Sequence, residues 1–207
     1  MALPDTKQKI LDASLQLFNE NGITNTRLQQ IADETGISVG NLAYHFNNKE
    51  AITESLIANV IVEFQELLRQ YGKHPSLVDL DFFFKAFFQL NLHYRFFSFD
   101  ILEIKRNFPA SYDLLQPLFN KMKLQLERRF DLYLEQRLLV KGTSPRSLAV
   151  NVWLLLFFMQ EEEQLNGRGD LTAGEYRRRL WEYIRLFFTG KGSSEFSAVI
   201  EPELTER

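Results

Sequence analysis

Gly36-Ile37-Ser38-Val39-Gly40 satisfies G-x-S-x-G, the spacing at which esterases carry a serine nucleophile on a sharp turn, and His45 follows closely. A serine so placed attacks an acyl carbon while a histidine takes its proton. That chemistry needs a strand running into the first glycine, within a chain rich in strands. The residues before Gly36 are LQQIADET, with Leu28, Ile31, Ala32 and Thr35 at helical spacing. No run of β-branched residues supplies a strand elsewhere, and nothing in the pattern brings His74 or His93 to Ser38. Ser38 therefore reads as a helix cap, and no catalytic residue is expected.

Other chemistries fall away quickly. The chain has no cysteine, which excludes disulfides, thiolate metal sites and thiol catalysis. Glu161–Glu163 and the three histidines lack metal-ligand spacing, so neither a metal nor a cofactor is expected. Arg168-Gly169-Asp170 reads as a turn, and Arg177–Arg179 as a solvated helix face.

The elements that must position Ser38 and its neighbours are helices. Ile10, Leu11, Ser14, Leu15, Leu17 and Phe18 form an apolar stripe, which Asp5 or Thr6 can cap and Gly22 can end. Thr26 with Gln29 gives a capping-box pattern for a second helix that Gly36 stops. Ser38 caps a third, turning Leu42 and Phe46 inward. Asn47 and Glu50 open a long helix over 48–71, carrying Ile52, Leu56, Val60, Phe64, Leu67 and Tyr71 and ending near Gly72 and Pro75. Further helices are expected over 77–97, 99–107, 111–140, 145–165 and 174–188, with 191–207 a loose tail. The fold class is all-α, with about nine helices, no strand and no internal repeat. The domains expected are a helix-turn-helix head at 1–50, a larger helical domain at 51–190 and the tail.

Bulk properties agree. The 207 residues are 45% hydrophobic and 25% charged, an ordinary globular balance. The longest apolar run, Val152–Met159, is far short of the roughly 18 residues that suggest a membrane span. With no basic-then-apolar leader, a cytoplasmic location is expected. The net charge is −3, and residues 1–50 hold four Lys/Arg against six Asp/Glu, which speaks against DNA binding.

Two short helices around a glycine turn, behind a third, nevertheless describe a DNA-reading unit. The second helix of such a pair enters the major groove and needs small or polar residues at its exposed start. Ser38, Val39, Gly40 and Asn41 suit that: Val39 for a thymine methyl, Gly40 for close approach, Asn41 for a base edge. Helix N-termini bind phosphate without basic side chains, which answers the charge objection.

The stretch TRLQQIADETGISVGNLAYHFNNKEAI resembles the signature of TetR-family transcriptional regulators, over roughly residues 7–60. The resemblance implies phosphate contacts at Thr26, Tyr44, His45 and Lys49, base approach at Gln29, Ser38, Val39, Gly40 and Asn41, and a backbone reach for Arg27. Ala43 departs from it, standing where the family often has an aromatic. The resemblance also implies a homodimer on a palindromic operator, released by a small effector that tilts the helix 48–71. The effector cavity falls in the Phe-rich part of the chain, suiting an apolar or aromatic ligand lined by Phe84, Phe87, Phe88, Asn91, Tyr94, Tyr112 and Phe157. The helices at 145–165 and 173–189 are implied to meet their twins, with Trp153, Leu156, Trp181, Ile184 and Phe188 in the interface. The reading is a repressor binding double-stranded DNA; an activator, or a helical adaptor that binds no DNA, are the alternatives.

Overall fold

The computed structural model describes residues 5–71 and 75–205. Gly72 and His74 lie outside the described residues, so the point where the sequence ends the long helix does too. Twelve helices are present among the described residues: α1 (Thr6–Asn21), α2 (Leu28–Thr35), α3 (Val39–His45), α4 (Lys49–Gln70), α5 (Leu77–His93), α6 (Arg95–Phe99), α7 (Ile101–Asn107), α8 (Pro109–Glu135), α9 (Pro145–Leu165), α10 (Ala173–Arg185), α11 (Gly190–Val199) and α12 (Glu201–Thr205). An isolated antiparallel bridge joins Leu139 and Phe188, and no strand forms among the described residues. The all-α expectation is met.

Three helices exceed the expected nine, each for a local reason. The segment expected over 77–97 breaks at Tyr94, which leaves helical geometry (φ −110°, ψ 50°) and starts α6. The expected tail is instead α11 and α12, with Phe196, Ile200 and Leu204 buried. Phe196 packs on Trp181 at 5.5 Å and lies under the Arg185 guanidinium at 4.6 Å. Gly192 fits α11 against the chain because a Cβ there would overlap the Leu138 carbonyl. One buried aromatic and two buried aliphatic residues in the sequence GKGSSEFSAVIEPEL are too few to mark a helix from periodicity alone.

The chain divides into two compact units. The first comprises residues 1–63 and 93–115, the second 64–92 and 116–207. In the first, α1, α2 and α3 pack around Ile10, Phe18, Ile31, Ala32, Leu42 and Phe46, all buried. In the second, the phenylalanines of α5 interlock with the end of α4 and with α8–α10: Phe87 meets Phe157 at 5.0 Å, and Phe119 meets Phe157 at 5.3 Å. Each such edge-to-face pair adds about 1 kcal/mol beyond its area.

That apolar core contains a buried ion pair with three hydrogen bonds to one carboxylate. Asp81, almost fully buried, accepts from both Arg177 Nε at 3.0 Å and Trp181 Nε1 at 2.8 Å, with a second bond from the Arg177 guanidinium. Removing one partner of such a pair costs about 3–5 kcal/mol, because the other charge is left buried and unpaired. Arg177 is thus a core residue, not the solvated residue its neighbours suggested.

Candidate nucleic-acid interface

The head is built on one turn. Ile37 N–H donates to the Ala32 carbonyl, and Gly36 takes the left-handed conformation (φ 69°) that closes α2. Ser38 then sits extended ahead of α3, its Oγ accepting from Asn41 N–H at 3.1 Å. Ser38 is the helix cap that its sequence context implies. Leu42 is wholly buried and fixes the face that α3 turns inward.

The opposite face carries the expected reading residues. Ser38, Gly40, Asn41, Ala43 and Tyr44 are exposed, and Val39 is half-buried beside them. Tyr44 is 85% exposed, an unusual position for so large a ring, and His45 stacks edge-on against it at 5.3 Å. A Cβ added at Gly40 would meet only Ser38 Oγ, so the glycine leaves the start of α3 open outward. At the start of α2, the cap residue Arg27 and Gln29 are exposed, with Gln29 Nε2 donating to Asp33 Oδ1 at 2.7 Å.

Two of the expected phosphate contacts are placed differently. Thr26 is wholly buried, and its hydroxyl donates to the Gly22 carbonyl at 2.9 Å. It does not cap α2: the cap position is Arg27, whose N–H donates to Gln30 Oε1 at 2.7 Å, one residue later than the Thr26–Gln29 pattern suggested. Lys49 points inward as well. Its ammonium donates to the carbonyls of Ile23 at 2.7 Å and Thr26 at 2.9 Å. Both side chains satisfy the turn between α1 and α2, whose backbone acceptors would otherwise be unmet near a buried isoleucine. Asn48 rather than Asn47 caps α4, accepting from Ala51 N–H at 2.9 Å.

The expected effector-lining residues are divided between the two units. Tyr94 and Tyr112 belong to the first unit and the other five to the second. Tyr94 donates to Glu63 Oε1 at 2.6 Å, and burial with that carboxylate holds its phenol far above the ordinary range. Lys105 Nζ lies over the Tyr112 ring at 5.3 Å. Phe84, Phe87, Phe88 and Phe157 are core, and Asn91 Nδ2 donates to the Leu156 carbonyl at 3.0 Å. In the second unit a cavity of about 20 Å³, room for one water, lies among Tyr71, Leu80, Phe83 and Met122.

The residues expected to pair with a second copy are mostly packed inside the chain. Leu156, Trp181 and Ile184 are wholly buried and Phe188 nearly so, each within the single chain. Trp153, half-buried, packs on Phe157 at 5.1 Å and Phe119 at 6.0 Å. Among the apolar residues that α9 leaves outside are Val150, Leu154 and Phe158. Leu154 and Phe158 border an open groove of about 550 Å³ that Asn151, Leu155, Met159, Glu162, Arg179 and Tyr183 complete. Both helices are apolar on two faces, so their periodicity marks two stripes without saying which one turns inward.

A short capped helix presenting small and polar residues, set behind a glycine turn on a three-helix core, defines an all-helical protein with a helix-turn-helix head. A family model described as "Bacterial regulatory proteins, tetR family" matches residues 10–56, and one described as "Bacterial transcriptional repressor" matches 62–196. The chain belongs to the TetR family of transcriptional regulators, which are not enzymes.

Among characterised relatives, the biofilm operon regulator IcaR of Staphylococcus epidermidis is 34% identical over 90 residues, 42% of this chain and 49% of IcaR. RutR of Escherichia coli K12 is 38% identical over 60 residues, 29% of this chain and 28% of RutR. The matched stretches thus span half or less of these relatives. A TetR-family regulator from Marinobacter aquaeolei superposes with a TM-score of 0.79 at 23% identity, covering 94% of this chain and 97% of its own. A γ-butyrolactone receptor resembling ArpA gives 0.69 at 15% identity, with 98% of each chain covered. These likenesses establish the fold.

Proposed function

We propose that this protein is a cytoplasmic repressor that binds a palindromic operator as a homodimer and leaves it when a small apolar or aromatic effector binds. The observation that carries the DNA-binding part is the exposed row Ser38, Gly40, Asn41, Ala43 and Tyr44 on a helix whose buried Leu42 fixes its orientation. Such a row fits the major groove, where Asn41 pairs with a base edge and Val39 and Ala43 meet thymine methyls.

Pairing uses the exposed α9 row Val150, Leu154 and Phe158, not the buried residues of the same helices. A two-fold axis there lays the groove of one copy against the same groove of the other. The polar ends of the groove, Asn151 with Tyr183 and Glu162 with Arg179, would set its register.

The effector enters the aromatic core of the second unit. The rings now touch, so binding must part them, and an effector can only shift the protein toward a state it binds better. Trp153 Nε1–H is buried without an acceptor among the described residues, and supplies the donor that an effector's polar atom would meet.

Incubating the protein with fragments of its own genome and sequencing what it retains tests this reading. Enrichment of a palindrome with two half-sites is expected. A folded dimer that enriches nothing at low salt would favour the adaptor alternative, to which the acidic head already lends weight.

A further inference from the structure

The turn between α1 and α2 is gripped from a part of the chain far away in sequence. Ile23 N–H donates to Asp100 Oδ2 at 2.8 Å, and the Thr24 hydroxyl donates to Glu103 Oε1. One turn earlier, Asn19 donates through Nδ2 to the His93 carbonyl and accepts through Oδ1 from Phe96 N–H, both at 2.9 Å. Phe18 meets Phe96 edge-on at 5.8 Å. From its other side the turn is held by Lys49, whose ammonium takes the Ile23 and Thr26 carbonyls. Ile23 therefore has its N–H on Asp100 and its C=O on Lys49.

Asp100 occupies the joint of two helices. Its N–H donates to the Phe96 carbonyl at 2.8 Å, closing α6, and its own carbonyl accepts from Ile104 N–H at 2.8 Å, opening α7. A change in the angle between α6 and α7 must therefore move the carboxylate that holds Ile23. Four residues after Ile23 the backbone of Arg27 caps α2, and α2 packs on α3.

We propose that Asp100, assisted by Glu103, is a positioning residue for operator binding: it sets the α1–α2 turn, and through α2 the pose of the reading helix α3. This rests on the operator-binding reading above. The carboxylate is held against its own preference: burial raises its pKa, only partly offset by the hydrogen bond from Ile23, and the Glu103 charge raises it further.

The test compares the full-length wild-type protein with Asp100→Ala, Asp100→Asn and Thr24→Val. Binding is measured both to the operator recovered by selection and to random duplex, alongside thermal melting and amide exchange at Ile23. Asp100→Ala should weaken operator binding about tenfold, a loss comparable with one hydrogen bond to a charged group. Random-duplex binding should change less than about twofold, and the Ile23 amide should exchange faster. Asp100→Asn, whose Oδ1 still accepts from Ile23, should restore most of the loss. Thr24→Val, at an exposed site that cannot threaten the core, should give a smaller loss of the same selectivity.

Operator affinity unchanged in Asp100→Ala and in Thr24→Val would overturn the proposal. So would a parallel fall of operator affinity, random-duplex affinity and melting temperature, the mark of a merely structural contact. A wild-type protein that selects no operator would end the operator reading itself, and this role for Asp100 with it.

Discussion

Lys49 Nζ lies 2.7 Å from the carbonyl oxygen of Ile23, so the half-buried ammonium is turned toward the head's own backbone. The charge that family resemblance assigns to a phosphate is engaged by the protein's own backbone. Lys49→Gln should weaken operator binding more than random-duplex binding, by loosening the same turn that Asp100 grips. The slope of log K against log salt should stay the same, since no phosphate contact is lost. A direct phosphate contact would instead lower the slope by about 0.9. Titrations at four salt concentrations separate the two cases.

The exposed pair Leu154 and Phe158, each 43% accessible, lies on the α9 face bordering the groove. Leu154→Glu with Phe158→Glu should yield a folded monomer, because like charges would face each other across the two-fold axis. Trp181→Ala should instead lower stability by about 3–5 kcal/mol, since that ring is wholly buried and its indole N–H satisfies Asp81. Sedimentation and thermal melting of both variants check the assignment. A dimer that persists in the double variant would move the interface elsewhere.

Glu163 accepts from Arg168 Nε at 2.7 Å and Arg179 Nη1 at 2.5 Å, and these bonds pull its pKa down to about 2 from the usual 4.5. The carboxylate therefore binds protons more readily in the unfolded chain than in the folded one. Its contribution to stability is complete above about pH 4.5 and is lost as the pH falls from there toward 2. Thermal melting of the wild type and Glu163→Gln should differ most near neutrality and converge across that window. A gap that stays constant down to pH 2 would contradict the assignment.

Much of the head was legible because its signals are local. Gly36, Ser38 and Leu42 lie within seven residues, and each acts on its immediate neighbours in the chain. Thr26 shows where such reading fails: as a threonine ahead of a helix it suggested a cap, but the buried Ile23 beside it needs the turn's carbonyls satisfied, and the hydroxyl serves there. Asp100 was invisible for a different reason. Its partner is 77 positions away, and neither residue carries a spacing that announces the other. For α9 and α10, Trp181 and Phe158 are alike as apolar helix residues. Only the packed bundle decides that the first is core and the second is not. The helices at 190–205 were missed because Phe196, Ile200 and Leu204 give too weak a periodicity, and the contact that requires Gly192, with the Leu138 carbonyl, is distant in sequence.

The central claim is that the exposed start of α3 reads base sequence, and Asn41 is its most discriminating member. The most direct measurement is a parallel selection from random duplexes with the wild type and Asn41→Ala, followed by competition binding at fixed salt. The wild type should enrich a two-fold symmetric site, and Asn41→Ala should lose preference at one position in each half-site, at a cost of about 1–3 kcal/mol. The same site selected with the same affinity by both proteins would contradict the claim.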